Sequence, residues 1–165
     1  SRYMAGREFD EITQGRIATP TDADRYAILS KSVMALPSLH PDTGPFPGQI
    51  LAWSNGEPAN DGERTYAASC YAALMGAECL DLVGAKGPVF VEGPFGANDD
   101  FLVMLANASD RPVIASGQSA GTGLGAAMLA GHPRSQRKTG EPINPSTDSL
   151  MLTYARTWRR AVLAR

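Results

Sequence analysis

The chain has only two cysteines and two histidines in 165 residues, which removes several kinds of chemistry at the outset. Cys70 and Cys79 fall in one helical segment, nine residues apart. A rise of about 1.5 Å per residue separates them by roughly 13 Å, far beyond disulfide reach. They read as buried apolar thiols in a reducing compartment. His40 and His132 make no metal-ligand spacing with each other or with the cysteines, so no metal site is expected from this chain. Charge of one sign is also scarce. Fifteen Lys and Arg against seventeen Asp and Glu give a net charge of -2. That leaves no basic stripe for nucleic acid and no long-range pull on an anionic membrane. No uncharged apolar run approaches the roughly 20 residues of a membrane-spanning helix. Ser1-Arg2-Tyr3-Met4 does not resemble a signal peptide and lacks an initiator Met, so the chain is read as a piece of something longer.

What is present is a globular composition, 43% apolar and 19% charged, in a length suited to one core. Residues 1–62 differ from the rest. Phe9 and Ile12 mark a short helix between Met4 and Ile17. Thr21 or Asp22 is an N-cap for a second helix, along which Tyr26, Leu29, Val33 and Met34 recur at helical spacing. Pro41 to Gly48 is a Pro/Gly-rich arm, and Ile50 to Trp53 is a short strand candidate. Residues 63–165 form the second region. Glu63 to Val83 is a long helix. Its stretch from Ala67 to Ala77 has no charge, so both faces need cover. Gly76 inside it implies a close neighbouring backbone, and Gly84 is a C-terminal cap. Ser146 or Thr147 opens a terminal helix carrying Leu150, Met151, Tyr154, Trp158 and Val162 on its apolar side.

The most informative stretch runs from Gly87 to Gly131. Val89-Phe90-Val91 is a short apolar run broken by Gly93-Pro94. Asn98 opens a helix. Val113-Ile114-Ala115 is a second apolar run, ending at Gly117 before a helix of small residues. Two strands of one sense joined by a helix belong to a layered α/β sheet. Ligands of such sheets sit beyond the carboxyl ends of the strands, here at Gly93-Pro94-Phe95-Gly96 and Gly117-Gln118-Ser119. The first loop admits two readings. One is a tight turn and a capped helix with no ligand. The other is a loop touching the uncharged end of a nucleotide, the adenine and ribose, because Asp99 and Asp100 would repel a triphosphate. The second loop fits the G-x-S-x-G nucleophile elbow around Ser119. The only later histidine, His132, precedes Glu141 and Asp148, so the usual order of Ser, acid, His fails. Gly121 to Gly125 has no following lysine and meets neither phosphate-loop fingerprint.

The order of elements from about Gly62 to Gly131 resembles the C-terminal domain of the FGGY family of carbohydrate kinases. That family carries a long helix, a strand ending in a G-G-G-x-x-N-like loop, a helix, a short strand, and a helix opening G-A-A-x-L-A. Here the loop is G-P-F-G-A-N (Gly93 to Asn98), with Pro94 and Phe95 in place of glycines, and the last helix opens G-A-A-M-L-A-G (Gly125 to Gly131). R-Y-M-A-G-R-E-F-D (Arg2 to Asp10) is similar to the fuculose- and rhamnulose-kinase-like branch. The resemblance implies a partial actin-like, ribonuclease-H-like ATPase domain: α/β, with a mixed sheet flanked by helices. It implies phosphorylation of a sugar or polyol by ATP with Mg in the full-length enzyme. It matches Gly93, Pro94, Phe95, Gly96 and Asn98 to the nucleotide-binding loop. The family's catalytic aspartate and its phosphate-gripping loops would lie upstream. No D-x-G-T motif is present, so no catalytic residue and no metal ligand is assigned to this chain. The expected partners are the sugar, ATP and the missing N-terminal kinase domain. The expected location is the cytoplasm. The long uncharged helix, deprived of the other half, is expected to drive self-association. The alternatives are a non-catalytic nucleotide-binding or oligomerisation module and a serine hydrolase using Ser119.

Overall fold

The computed structural model describes residues 3–116, 126, 128–131 and 140–165. Gly117 to Gly125 and His132, with the elbow and the glycine cluster expected there, lie outside the described residues. Helix α1 (Ala5–Thr13) carries Phe9 and Ile12 into the core. Helix α2 (Asp22–Lys31) opens on Thr21, whose Oγ1 accepts from the Asp24 N–H at 3.2 Å while the Asp24 carboxylate accepts from the Thr21 N–H at 2.8 Å. That reciprocal pair satisfies two donors of the helix start.

Helix α2 ends earlier than its spacing predicts. Ser32 turns left-handed (φ 50°). Val33 and Met34 leave the helix, and Met34 begins strand β1 (Met34–Leu36). Tyr26 points outward, and Ile28 beside Leu29 takes the core position instead. Strand β2 (Ala52–Ser54) pairs antiparallel with β1, Ala35 opposite Trp53.

Helix α3 (Asp61–Leu82) is the central element, packed against α1, α2 and β1 and against α4 described below. Every residue from Tyr66 to Met75 is buried, and so is Ala77. The uncharged run is therefore covered by this chain's own elements. That removes the exposed apolar helix on which the expectation of self-association rested. Gly76 faces side chains, Leu105 and Tyr3, and not a close backbone. At the far end Gly84 (φ 63°) donates to the Asp81 carbonyl and Ala85 to that of Leu80. This is the doubly bonded stop that a left-handed glycine permits.

Strand β3 (Val89–Val91), helix α4 (Asp99–Ser109) and strand β4 (Val113–Ala115) follow. β3 and β4 pair in parallel, Phe90 opposite Ile114, as the strand–helix–strand pattern requires. The returning chain meets the other edge of β4 through paired hydrogen bonds between Val113 and Ile143. The described strands thus form two small two-stranded sheets, one antiparallel and one parallel, flanked by helices in the partial α/β domain that was expected. Helix α5 (Ser149–Leu163) closes the core. Its N-cap is Asp148, not Ser146 or Thr147, because Ser146 is held by the Asn107 side chain. Tyr154 donates to the Val33 carbonyl just before β1 at 3.0 Å and Trp158 to that of Ala35 within β1 at 2.8 Å, so side chains of α5 satisfy these buried carbonyls.

Candidate functional site

The site begins where β3 stops. Gly93 takes φ 82° and ψ -161°, a conformation that only glycine adopts readily. Pro94 then opens one 3-10 turn, Pro94–Ala97, closed by the Gly96 N–H on the Gly93 carbonyl at 2.9 Å. Gly96 lies over the ends of both parallel strands. A Cβ at that position would stand 3.4 Å from the Val91 carbonyl and 3.6 Å from that of Ser116. A Cβ at Gly93 would meet nothing within 4 Å, so the loop presents an open face there. The loop therefore sits at the carboxyl edge of a parallel pair, where ligands of such sheets bind.

The side chains around it are mostly spent on holding it. Phe95 turns inward, edge-on to Phe9 at 5.7 Å between ring centroids and tilted against Phe101 at 4.6 Å. Its bulk thus goes to packing. Asn98 caps α4 by accepting from the Phe101 N–H at 3.0 Å, and it donates to Ser69 Oγ on α3 at 3.0 Å. Ser69 in turn donates to the Thr65 carbonyl. What faces outward is Pro94, Ala97 and backbone. Of the two carboxylates in the first turn of α4, Asp99 is exposed. Asp100 is bound at two points by Arg25 of α2, Nε to Oδ1 at 2.7 Å and Nη2 to Oδ2 at 3.2 Å. The structure thus brings Gly93, Gly96 and Asn98 together with Phe9, Ser69 and Arg25. No local signal ties these three to the loop, since each reaches it only through the tertiary fold.

The loop presents backbone and no reactive side chain. It carries no histidine, cysteine or lysine. Among the described residues no three His, Cys, Asp or Glu side chains gather as a metal site. Cys70 is buried in α3, where desolvation pushes its thiol far up and leaves it inert.

A concavity of about 350 Å³ lies at the opposite end of α4. It is lined by Leu74, Glu78, Asn107, Ser146, Trp158 and Arg159, among others. Four of its polar side chains, Glu78, Asn107, Ser146 and Arg159, are tied to one another or to adjacent residues. Arg159 bonds Glu78 at 2.9 Å and Asp81 at 3.1 Å. Asn107 Oδ1 accepts from the Ser146 N–H and hydroxyl at 2.9 and 3.0 Å. Burial raises the Glu78 carboxyl against the opposing pull of Arg159. The candidate site is therefore taken at the loop, on the carboxyl edge of the parallel pair.

The family model described as the carbohydrate kinase FGGY C-terminal domain matches residues 1–139. A solved carbohydrate kinase from Novosphingobium aromaticivorans is 31% identical over 98% of this chain, with a TM-score of 0.82. A solved xylulose kinase from Rhodospirillum rubrum, at 19% identity over 96% of the chain and a TM-score of 0.59, shares the fold. The chain spans 37% and 33% of those two proteins. No curated protein gives a significant match.

Proposed function

The chain belongs to the FGGY carbohydrate kinases, as their C-terminal domain, and from that premise we propose that it is the adenosine-side wall of an ATP-dependent sugar or polyol kinase, inactive by itself. The observation that carries this reading is the Gly93–Asn98 loop, laid over the ends of β3 and β4 with an open face at Gly93 and no reactive side chain.

A nucleoside fits such a loop. Glycines let a flat base or a ribose approach the backbone, and no bulky side chain stands in the way. Among the described residues no three His, Cys, Asp or Glu side chains gather to hold a metal, so no ligand role is assigned to them. ATP with Mg supplies the phosphoryl group when bound. This chain's part is to hold the nucleoside end and orient it. Phosphoryl transfer depends on positioning and on neutralising charge at the phosphates, and a general base must reach the sugar hydroxyl. Neither is offered by one wall of a cleft. Arg2 to Asp10 supports the fuculose- or rhamnulose-kinase-like branch, and Cys70 and Cys79, neither of them in a disulfide, suit a cytoplasmic enzyme.

The test is sugar-dependent ADP release, measured for the full-length enzyme and for residues 1–165 alone. The full-length enzyme is expected to turn over with a deoxysugar ketose or a related polyol, and the isolated chain to show none. Turnover by the isolated chain would contradict the proposal.

A further inference from the structure

The first turn of α4 carries two adjacent carboxylates directly after the loop, and two unshielded negative charges there would oppose any phosphate-bearing ligand. Only one of them is left unshielded. Arg25 engages both oxygens of Asp100, and the two side chains keep only 34% and 16% of their exposure. The same guanidinium reaches Asp22 Oδ1 at 3.1 Å, but Asp22 is fully exposed, so Asp100 is the partner shielded from water. The guanidinium is itself held in place. Its helix is fixed by the Thr21–Asp24 cap, and Asp24 also accepts from Asn60 Nδ2 at 3.0 Å, at the start of α3. A planar fork on a carboxylate fixes direction as well as charge.

We propose that Arg25 is a specificity-determining positioning residue: by neutralising Asp100 and turning it toward α2, it lets the loop accept a nucleotide and not merely a nucleoside. This rests on the reading of Gly93–Asn98 as the nucleoside wall. Arg25 does not touch the ligand. It acts through Asp100, and its effect scales with the charge the ligand carries.

The experiment is calorimetric titration of the full-length kinase with ADP and with adenosine, at low salt and with about 0.5 M added salt, where the Debye length falls to a few Å. Arg25→Gln is expected to weaken ADP about five- to tenfold, the size of one added unit repulsion at a partly exposed site. Adenosine should stay within about twofold on the same argument, the effect on ADP should shrink in salt, and Arg25→Gln/Asp100→Asn should restore ADP binding. Should Arg25→Gln fail to fold, Asp100→Asn carries the test alone, with tighter ADP binding and unchanged adenosine binding expected from the freed cation. Equal losses for ADP and adenosine, or no recovery in the double variant, would make the pair a plain clamp between α2 and α4 and overturn the proposal. Affinities for both ligands that do not respond to Gly93→Val would overturn the nucleoside-wall reading beneath it.

Discussion

The two ends of α4 are built on opposite plans. At its N-terminus the chain makes a shallow loop from glycine, proline and backbone, and turns its one large side chain, Phe95, into the core. At its C-terminus the chain leaves a cleft of about 350 Å³ lined by Glu78, Arg159 and Trp158. At the second end Arg159 bonds to Glu78 and to Asp81 across the α3–α5 seam. The first end has Asp100 of its first turn held by Arg25, and it keeps an open face at Gly93 above the parallel strands. Ion pairs at the one end fasten α5 to α3, and the backbone left open at the other is where the proposed nucleoside would lie.

That contrast breaks most easily at its heavier end. Trp158→Ala removes a buried indole and its 2.8 Å bond to the Ala35 carbonyl. A loss of about 3–5 kcal/mol is expected in urea unfolding, with nucleotide affinity of the folded full-length enzyme unchanged. A loss of affinity larger than the loss of stability would mean that the cleft takes part in binding. Phe95→Ala attacks the other end. It removes the ring wedged between Phe9 and Phe101, at a cost of about 1–3 kcal/mol for a half-buried aromatic. Here affinity for nucleotide should fall together with stability, because the ring is what holds the loop down.

A smaller effect sharpens the account of the α2 and α3 starts that anchor Arg25. A Cβ at Gly62 would lie 2.6 Å from Asp24 Oδ2, a carboxylate already held by Thr21 and Asn60. Gly62→Ala should therefore cost about 1 kcal/mol, the value of a helix cap. Gly6→Ala, with nothing within 4 Å in the interior of α1, should instead gain about 0.5–1 kcal/mol. Thermal melts of the two variants give the signs.

The smallest expected effect is in acid. Hydrogen bonds from Thr21, then from Asn60, lower the Asp24 carboxyl, and the Arg7 hydrogen bond leads in lowering Glu11. Folded-state values below the unfolded ones mean that their stabilisation is present above about pH 4 and lost as pH falls through the lower folded values. Glu78 runs the other way. Burial raises its carboxyl, so its contribution is present below about pH 4.3 and lost as pH rises through the higher folded value. Asp24→Asn should flatten the acid limb of a stability–pH curve, and Glu78→Gln should steepen it.

Much of this was legible in the residues. Two apolar triplets, the Gly93-Pro94 break and the Asn98 cap mark β3, the loop, α4 and β4, because glycine, proline and a capping amide act locally. The uncharged run from Ala67 to Ala77 announced a helix covered on all sides. Long-range outcomes were not legible. Val33 and Met34 continue the α2 spacing, and only the pairing of β1 with Ser54, Trp53 and Ala52 gives them another fate. Ser146 is as good a cap as Asp148 until Asn107 takes it. Phe95 looked like an obstacle in a glycine loop until Phe9 and Phe101 supplied a place for its ring. Arg25 and Asp100 are 75 positions apart, and no spacing rule links them.

The most direct measurement is a crystal structure of the full-length enzyme with a non-hydrolysable ATP analogue and Mg. Adenine or ribose density in van der Waals contact with the backbone at Gly93 and Gly96 is the predicted result. A nucleoside seated in the α3–α4–α5 cleft, or anywhere that leaves Gly93 to Asn98 untouched, would contradict it.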